Sequence, residues 1–234
     1  MPQIAVINES NATSAQIIQQ MIPAFLQQWN QDLKPVWGLD QASFTFIPAG
    51  QKPASGTWWV VFLDNSDQAG ALAYHDLTNE GLPISKVFAK TIADAKESLS
   101  VGATHEICEM AVDPWLNGAF QDQSGVFWAG EVCDPVEDDQ YGYDIGGVLV
   151  TDFVTPNWFA HQYSTGPIDQ NKKAMSAFEV LSGGYAQKFD ANQGWVQITG
   201  SKARLSAAAR PARGSRRDRR ARQWQNWARS EHKF

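Results

Sequence analysis

Hydrophobic positions along the chain change their period several times, and each change marks an element. In QIAVINE, from Gln3 to Glu9, the apolar run is short and nearly continuous, the pattern of a buried strand. The next segment, NATSAQIIQQMIPAFLQQWNQDL, places Ile17, Ile18, Met21, Phe25 and Trp29 at helical spacing behind an Asn or Ser cap, and Pro23 predicts a kink in it. SFTFIPA and TWWVVFLDN are rich in β-branched and aromatic residues and are separated by the turn-forming GQKPASG, while GALAYHDL and PISKVFAKTI add further strands. Helical spacing returns from about Asp94 to Val112. Asp113-Pro114-Trp115 closes that helix, because proline disfavours helical geometry in the residue before it.

The second half is less regular. GVFWAGEVCDPVEDDQYGYDIGGVLVTDFVTPNWF is aromatic, acidic and punctuated by Gly and Pro, which predicts short strands and ordered loops. FEVLSGGYAQKFDANQGWVQITG predicts a terminal hairpin turning at SGG or NQG. The order strand, helix, three or four strands, helix and irregular half defines an α+β fold: a mixed twisted sheet, an N-terminal helix, a second long helix, and a strand- and loop-rich remainder. No internal repeat interrupts it.

Charge divides the chain where the periodicity stops. All nine arginines follow Gly200, so residues 1–200 hold eight lysines against 23 acidic residues, a formal −15, and residues 201–234 carry +9. The expected organisation is one domain over 1–200 and a flexible Arg-rich tail over 201–234, since a 43% apolar chain of 234 residues is long enough for one substantial core. Arginines interleaved with Trp224 and Trp227 fit salt-sensitive nucleic-acid binding, with an anionic membrane surface, the acidic body or a plain solubilising extension as alternatives. MPQIAVINESNATSAQ lacks the basic start of a signal peptide and no apolar run approaches 18 residues, so the expectation is a cytoplasmic protein without a membrane span, with signal-less export or particle assembly left open.

Candidate chemistry lies in THEICEMAVDP. Positions i and i+4 share a helix face, so His105 and Glu109 point the same way, and at about 100° per residue Glu106 lies a quarter-turn aside. Two donors on one face with a neighbouring carboxylate reproduce the mechanics of His-Glu-x-x-His, with Glu109 where the second histidine would stand. Glu106 is then placed to act as general base on a water at the metal. A third ligand must come from elsewhere in the fold.

With this motif and this order of elements, residues 1–160 resemble the zincin metallopeptidases. The resemblance implies a zincin-like fold and a metal-activated water attacking an extended peptide or protein substrate. GALAYHDL would be the edge strand that pairs with the peptide backbone. In the gluzincin branch the third ligand is a downstream glutamate, which here falls on Glu131 in AGEVCDP, 22 residues after Glu109. Asp134 is placed to orient a ligand from behind, and His161 is an alternative third ligand. Val112 and Trp115 occupy positions where a metzincin would carry a glycine and a histidine, so that branch does not fit. The donor set implies Zn²⁺, with Mn²⁺, Mg²⁺ or Ca²⁺ as oxygen-favouring alternatives.

Other residues qualify this picture. Cys108 and Cys133 sit inside the two motifs, which permits a disulfide pinning helix to loop, two buried thiols, or thiolate ligation. Tyr143, with Tyr141 and Tyr163, is a candidate donor to a developing oxyanion, against ordinary packing. The acidic run from Glu137 to Asp144 lacks EF-hand spacing and reads as a solvated loop. Trp58, Trp59, Trp115, Trp128 and Trp158 are candidates for the core. Two rival functions remain: a non-catalytic zincin-like scaffold or assembly protein, and a nucleic-acid-associated protein acting through its tail.

Overall fold

The computed structural model describes residues 1–68, 71–160 and 166–201. His161, Tyr163 and the arginine-rich segment from 202 onward, with the nucleic-acid role expected of it, lie outside the described residues. The fold is α+β, built on a mixed five-stranded sheet. Strands β1 (Gln3–Asn8), β2 (Ser43–Ile47), β3 (Trp58–Leu63) and β5 (Pro83–Phe88) run parallel, and β4 (Ala73–Leu77) lies antiparallel to β5 at the edge, in the order β2-β1-β3-β5-β4. Parallel strands covered on both faces read as continuous apolar runs rather than alternations. That is why Val60, Val61 and Phe62 in β3, and all six residues of β5, are buried.

Helix α1 (Ala15–Gln27) begins where the Ser14 hydroxyl accepts the Ile17 N–H at 3.2 Å, so Ser14 is its cap. Ile18, Met21, Ala24 and Phe25 face the core, whereas Ile17 is 48% exposed and does not join them. The helix continues through Pro23. Its irregularity comes later, in a wide π-helical segment, Gln28–Leu33, that leads into α2 (Lys34–Trp37) and stops at Gly38, whose φ of +65° suits a residue without a Cβ.

The helix expected from about Asp94 to Val112 starts later, and a separate short helix precedes it. Ala89–Asp94 forms α3, including residues read as strand, and Leu99–Val112 forms α4 after a break at Lys96, whose φ is 59°. The Ser98 hydroxyl caps α4 at the Val101 N–H. From Ala103 to Ala111 every residue of α4 is buried. One side packs on β4 and β5 and another meets the second half of the chain, where the Thr104 hydroxyl accepts the Thr151 N–H.

In that second half, β6 (Ala119–Gln121), β7 (Phe127–Ala129), β10 (Tyr185–Asp190) and β11 (Gly194–Thr199) form an antiparallel sheet in the order β11-β10-β7-β6, and β8 (Tyr143–Ile145) pairs with β9 (Val148–Val150). The terminal hairpin turns at NQG, where Asp190 accepts two backbone N–H groups ahead of Gly194, at φ +75°. One apolar cluster joins Phe25 and Trp29 from the first half to Trp128 and Trp158 from the second. Trp58 packs against it, but Trp115 is 45% exposed and belongs to the surface. Among the described residues, no helix is long and apolar enough to cross a membrane.

Two buried acids, Asp152 just after β9 and Asp169 further along the chain, lie side by side. Asp152 accepts the N–H groups of Phe153 and Asn171, and Asp169 accepts those of Lys173 and Ala174. Burial and then the charge of Asp169 push the Asp152 carboxyl up to about 8. The folded protein therefore keeps a proton that an unfolded chain releases at about pH 4. The stability this group contributes is full below that pH and is lost as pH rises through about 8, at no more than about 1.4 kcal/mol per pH unit. Asp152→Asn, which fixes the neutral form, is expected to flatten the decline in thermal midpoint between pH 5 and 8. A variant that tracks the wild-type slope would show that the proton resides elsewhere.

Candidate metal centre

Helix α4 brings its motif against β4. Antiparallel pairing sets His75 opposite Ser85, and side chains alternate across a strand, so both point to the helix side while their neighbours Tyr74 and Lys86 point away. The Ser85 hydroxyl donates to the Glu106 main-chain carbonyl at 3.2 Å, a short side chain that lets helix and sheet approach. His75 thereby meets the helix carboxylates: its Nδ1 lies 3.2 Å from Glu106 Oε2 and 3.7 Å from Glu109 Oε2, and its Nε2 lies 3.8 Å from Glu131 Oε2.

His105 faces a second set. Its Nε2 is 3.3 Å from Glu109 Oε1 and 3.2 Å from Asp134 Oδ1. Asp134 opens a 3-10 turn, Asp134–Val136, seated on Gly184: a Cβ there would stand 2.6 Å from the Pro135 carbonyl oxygen and 2.7 Å from that of Asp134. Only a glycine admits the turn so close. The Cys133 N–H donates to Glu109 Oε1 at 3.2 Å, fixing the loop to the helix carboxylate.

Two groups of three donors result, His105 with Glu109 and Asp134, and His75 with Glu109 and Glu131. All six side chains, Glu106 included, are at most 6% exposed. The ligand set expected from the sequence is thus divided. His105 and Glu109 come together as predicted, but Glu131 sits with His75, and Asp134, expected behind a ligand, touches His105 itself. His75 escaped the sequence reading, which took its strand only as a platform for substrate. The available signal was a histidine among the apolar and aromatic residues of GALAYHDL.

Distances decide which group suits a metal better. Charge-assisted N–H···O bonds run about 2.7–2.9 Å, shorter than the 3.2 and 3.3 Å around His105. Bonds of about 2.0–2.1 Å to a tetrahedral ion put neighbouring donors about 3.3 Å apart. The two contacts of His105 Nε2 lie near that spacing, while the 3.7 and 3.8 Å contacts of His75 are longer and fall on different ring nitrogens. Burial opposes a charge on His105, yet the charge of Glu109, hydrogen bonds to Asp134 and Glu109, and the charge of Glu106 outweigh it and hold the imidazole well above its ordinary range.

Other candidates have other partners. The Tyr143 hydroxyl, the candidate oxyanion donor, donates to Asp32 at 2.9 Å and accepts from Gln28, which joins the two halves, and burial raises its pKa strongly. Tyr141 donates to the Ser182 carbonyl. Cys108 and Cys133 are buried free thiols; burial, then the adjacent Cys108 thiol, raises the pKa of Cys133 well above its usual value. The two thiols interact with each other and no disulfide joins them. No family model, curated protein sequence or solved structure matches this chain.

Proposed function

We propose that the protein is a metal-dependent hydrolase, a peptidase of zincin-like arrangement that acts on extended polypeptide. The observation that carries this reading is the convergence of His105, Glu109 and Asp134, with Glu106 on the helix that bears His105 and Glu109 and its charge acting on His105. One imidazole and two carboxylates fit Zn²⁺, and their oxygen content also admits Mn²⁺ or Ca²⁺. When bound, the ion supplies Lewis-acid polarisation of a carbonyl and makes water more acidic.

The chain's own groups do the rest. Glu106 takes the proton from the attacking water and passes it to the leaving amine, and His75 Nδ1, 3.2 Å away, orients that carboxylate. β4 lies at the sheet edge beside α4, and an edge strand pairs with an extended backbone without regard to its side chains. The sheet order, the antiparallel edge strand and a buried helix bearing the motif all support the zincin-like reading.

The test is metal removal. The full chain loaded with Zn²⁺ is expected to cleave casein, to lose that activity on chelation and to regain it with Zn²⁺. Cleavage indifferent to chelator overturns the proposal. One observation favours a second reading: the donors are nearly sealed, as in structural sites, where the metal holds the fold and keeps no open position. On that reading chelation lowers the thermal midpoint and no metal confers hydrolysis.

A further inference from the structure

We infer that Cys108 and Cys133 form a reversible dithiol–disulfide couple that, when oxidised, clamps the loop after β7 to helix α4. Cys108 lies on α4, Cys133 stands at the head of the turn Asp134–Val136, and each is at most 1% exposed. The two thiols share a hydrogen bond. The Cys133 N–H donates to Glu109 Oε1 at 3.2 Å, so the backbone of one cysteine is already fixed against the residue that follows the other.

These are the two cysteines of a 234-residue chain. A buried side chain touches about 6–12 others, so a fold that seats its two cysteines on each other, one from a helix and one from a loop, is uncommon by accident. Packing does not call for the pair, because a free cysteine fills space like any small apolar side chain and its reactivity sets it apart. Among the described residues, neither sulfur belongs to the two groups of metal donors.

The oxidant is a low-molecular-weight disulfide. One cysteine displaces half of it, giving a mixed disulfide and one small thiol; the other cysteine attacks that bond, closes Cys108–Cys133 and releases the second small thiol. Two S–H bonds and one S–S bond break and the same number form, so the electron pair and both protons end on the oxidant. Because both sulfurs are buried, the first attack needs the loop to open locally from α4, and the finished bond prevents that opening. The clamped loop carries Asp134 to His105 and Glu131 to His75, so oxidation holds these carboxylates at the helix with or without an ion. The couple does not depend on the metal reading, and its test needs no metal.

The full chain, stripped of metal and kept folded, is incubated with oxidised glutathione, alkylated, and mapped by mass spectrometry without reductant. The peptides bearing Cys108 and Cys133 are expected to be joined, and the thermal midpoint to lie about 5–15 °C above that of the reduced chain. Dithiothreitol is expected to reverse both changes. Cys108→Ala and Cys133→Ala are each expected to lose the oxidant-dependent rise; far-UV circular dichroism verifies their fold, and either folded variant suffices. Both thiols still open to alkylation after the oxidant, glutathione adducts without the cross-link, or a cross-linked chain that melts no higher than the reduced one overturns the couple. Each of these results leaves the metal reading standing.

Discussion

Glu109→Gln is expected to abolish metal binding and to destabilise the metal-free protein in the same variant. Losing an outer-shell partner costs about 10–100-fold in affinity, and Glu109 is a donor common to both groups, so the loss in Zn²⁺ affinity should exceed that range. The side chain is fully buried, with Oε1 3.3 Å from His105 and accepting the Cys133 N–H. Without metal, Glu109 is the leading source of the positive charge that burial would deny His105. Removing one member of a buried charged pair costs about 3–5 kcal/mol, so the thermal midpoint of the apo-protein should fall clearly. Equilibrium dialysis and a melting curve read the two effects separately. Wild-type affinity in Glu109→Gln would mean that the helix carboxylate holds the fold and not an ion.

What the sequence made legible was whatever depends on local periodicity. The i, i+4 relation of His105 and Glu109 is set by helix geometry alone, so their convergence could be read from the motif. GEVCDP was recognisable as the second source of carboxylates, but its residues lie in a non-repeating loop. Three positions there do not fix a direction, and the loop turns Glu131 toward His75 and Asp134 toward His105. His75 was illegible for a different reason: its approach to Glu106 spans 31 residues and depends on the register His75 to Ser85 and on α4 packing over β5. The partner of Tyr143 was equally out of reach, because Asp32 lies 111 residues away, across the interface between the halves. Helix ends failed more locally, since the positive φ at Lys96 that separates α3 from α4 has no hydrophobic signature.

Why the buried helix carries so much chemistry follows from its position. A surface helix offers one apolar stripe and keeps its polar residues wet. Helix α4 is covered by the sheet on one side and by the Thr151 and Cys133 segments on others, so its polar residues must find partners inside. Thr104 does so by donating to the Ser100 carbonyl and accepting from Thr151. Among the described residues, His105, Glu106 and Glu109 meet each other and groups from β4 and the loop after β7. A cluster of that kind is sensitive to a single atom of charge or shape, which is what the last substitution exploits.

Glu106→Gln is expected to lower kcat for peptide hydrolysis by about 10²–10⁴, the usual contribution of a positioned general base, while KM and bound Zn²⁺ stay near wild type. Glutamine has the same length and keeps an oxygen able to accept from His75 Nδ1, 3.2 Å away in the native site. What it lacks is a lone pair basic enough to remove a proton from water. A fall in kcat and kcat/KM together marks an interaction made in the transition state, whereas a rise in KM alone would mark lost ground-state binding. Metal analysis of the same preparation separates this from disruption of the ligands, because Glu106 belongs to neither group of three donors. A Glu106→Gln protein that retains its zinc and cleaves casein at the wild-type rate would remove Glu106 as the base and, with it, the hydrolytic reading of the helix.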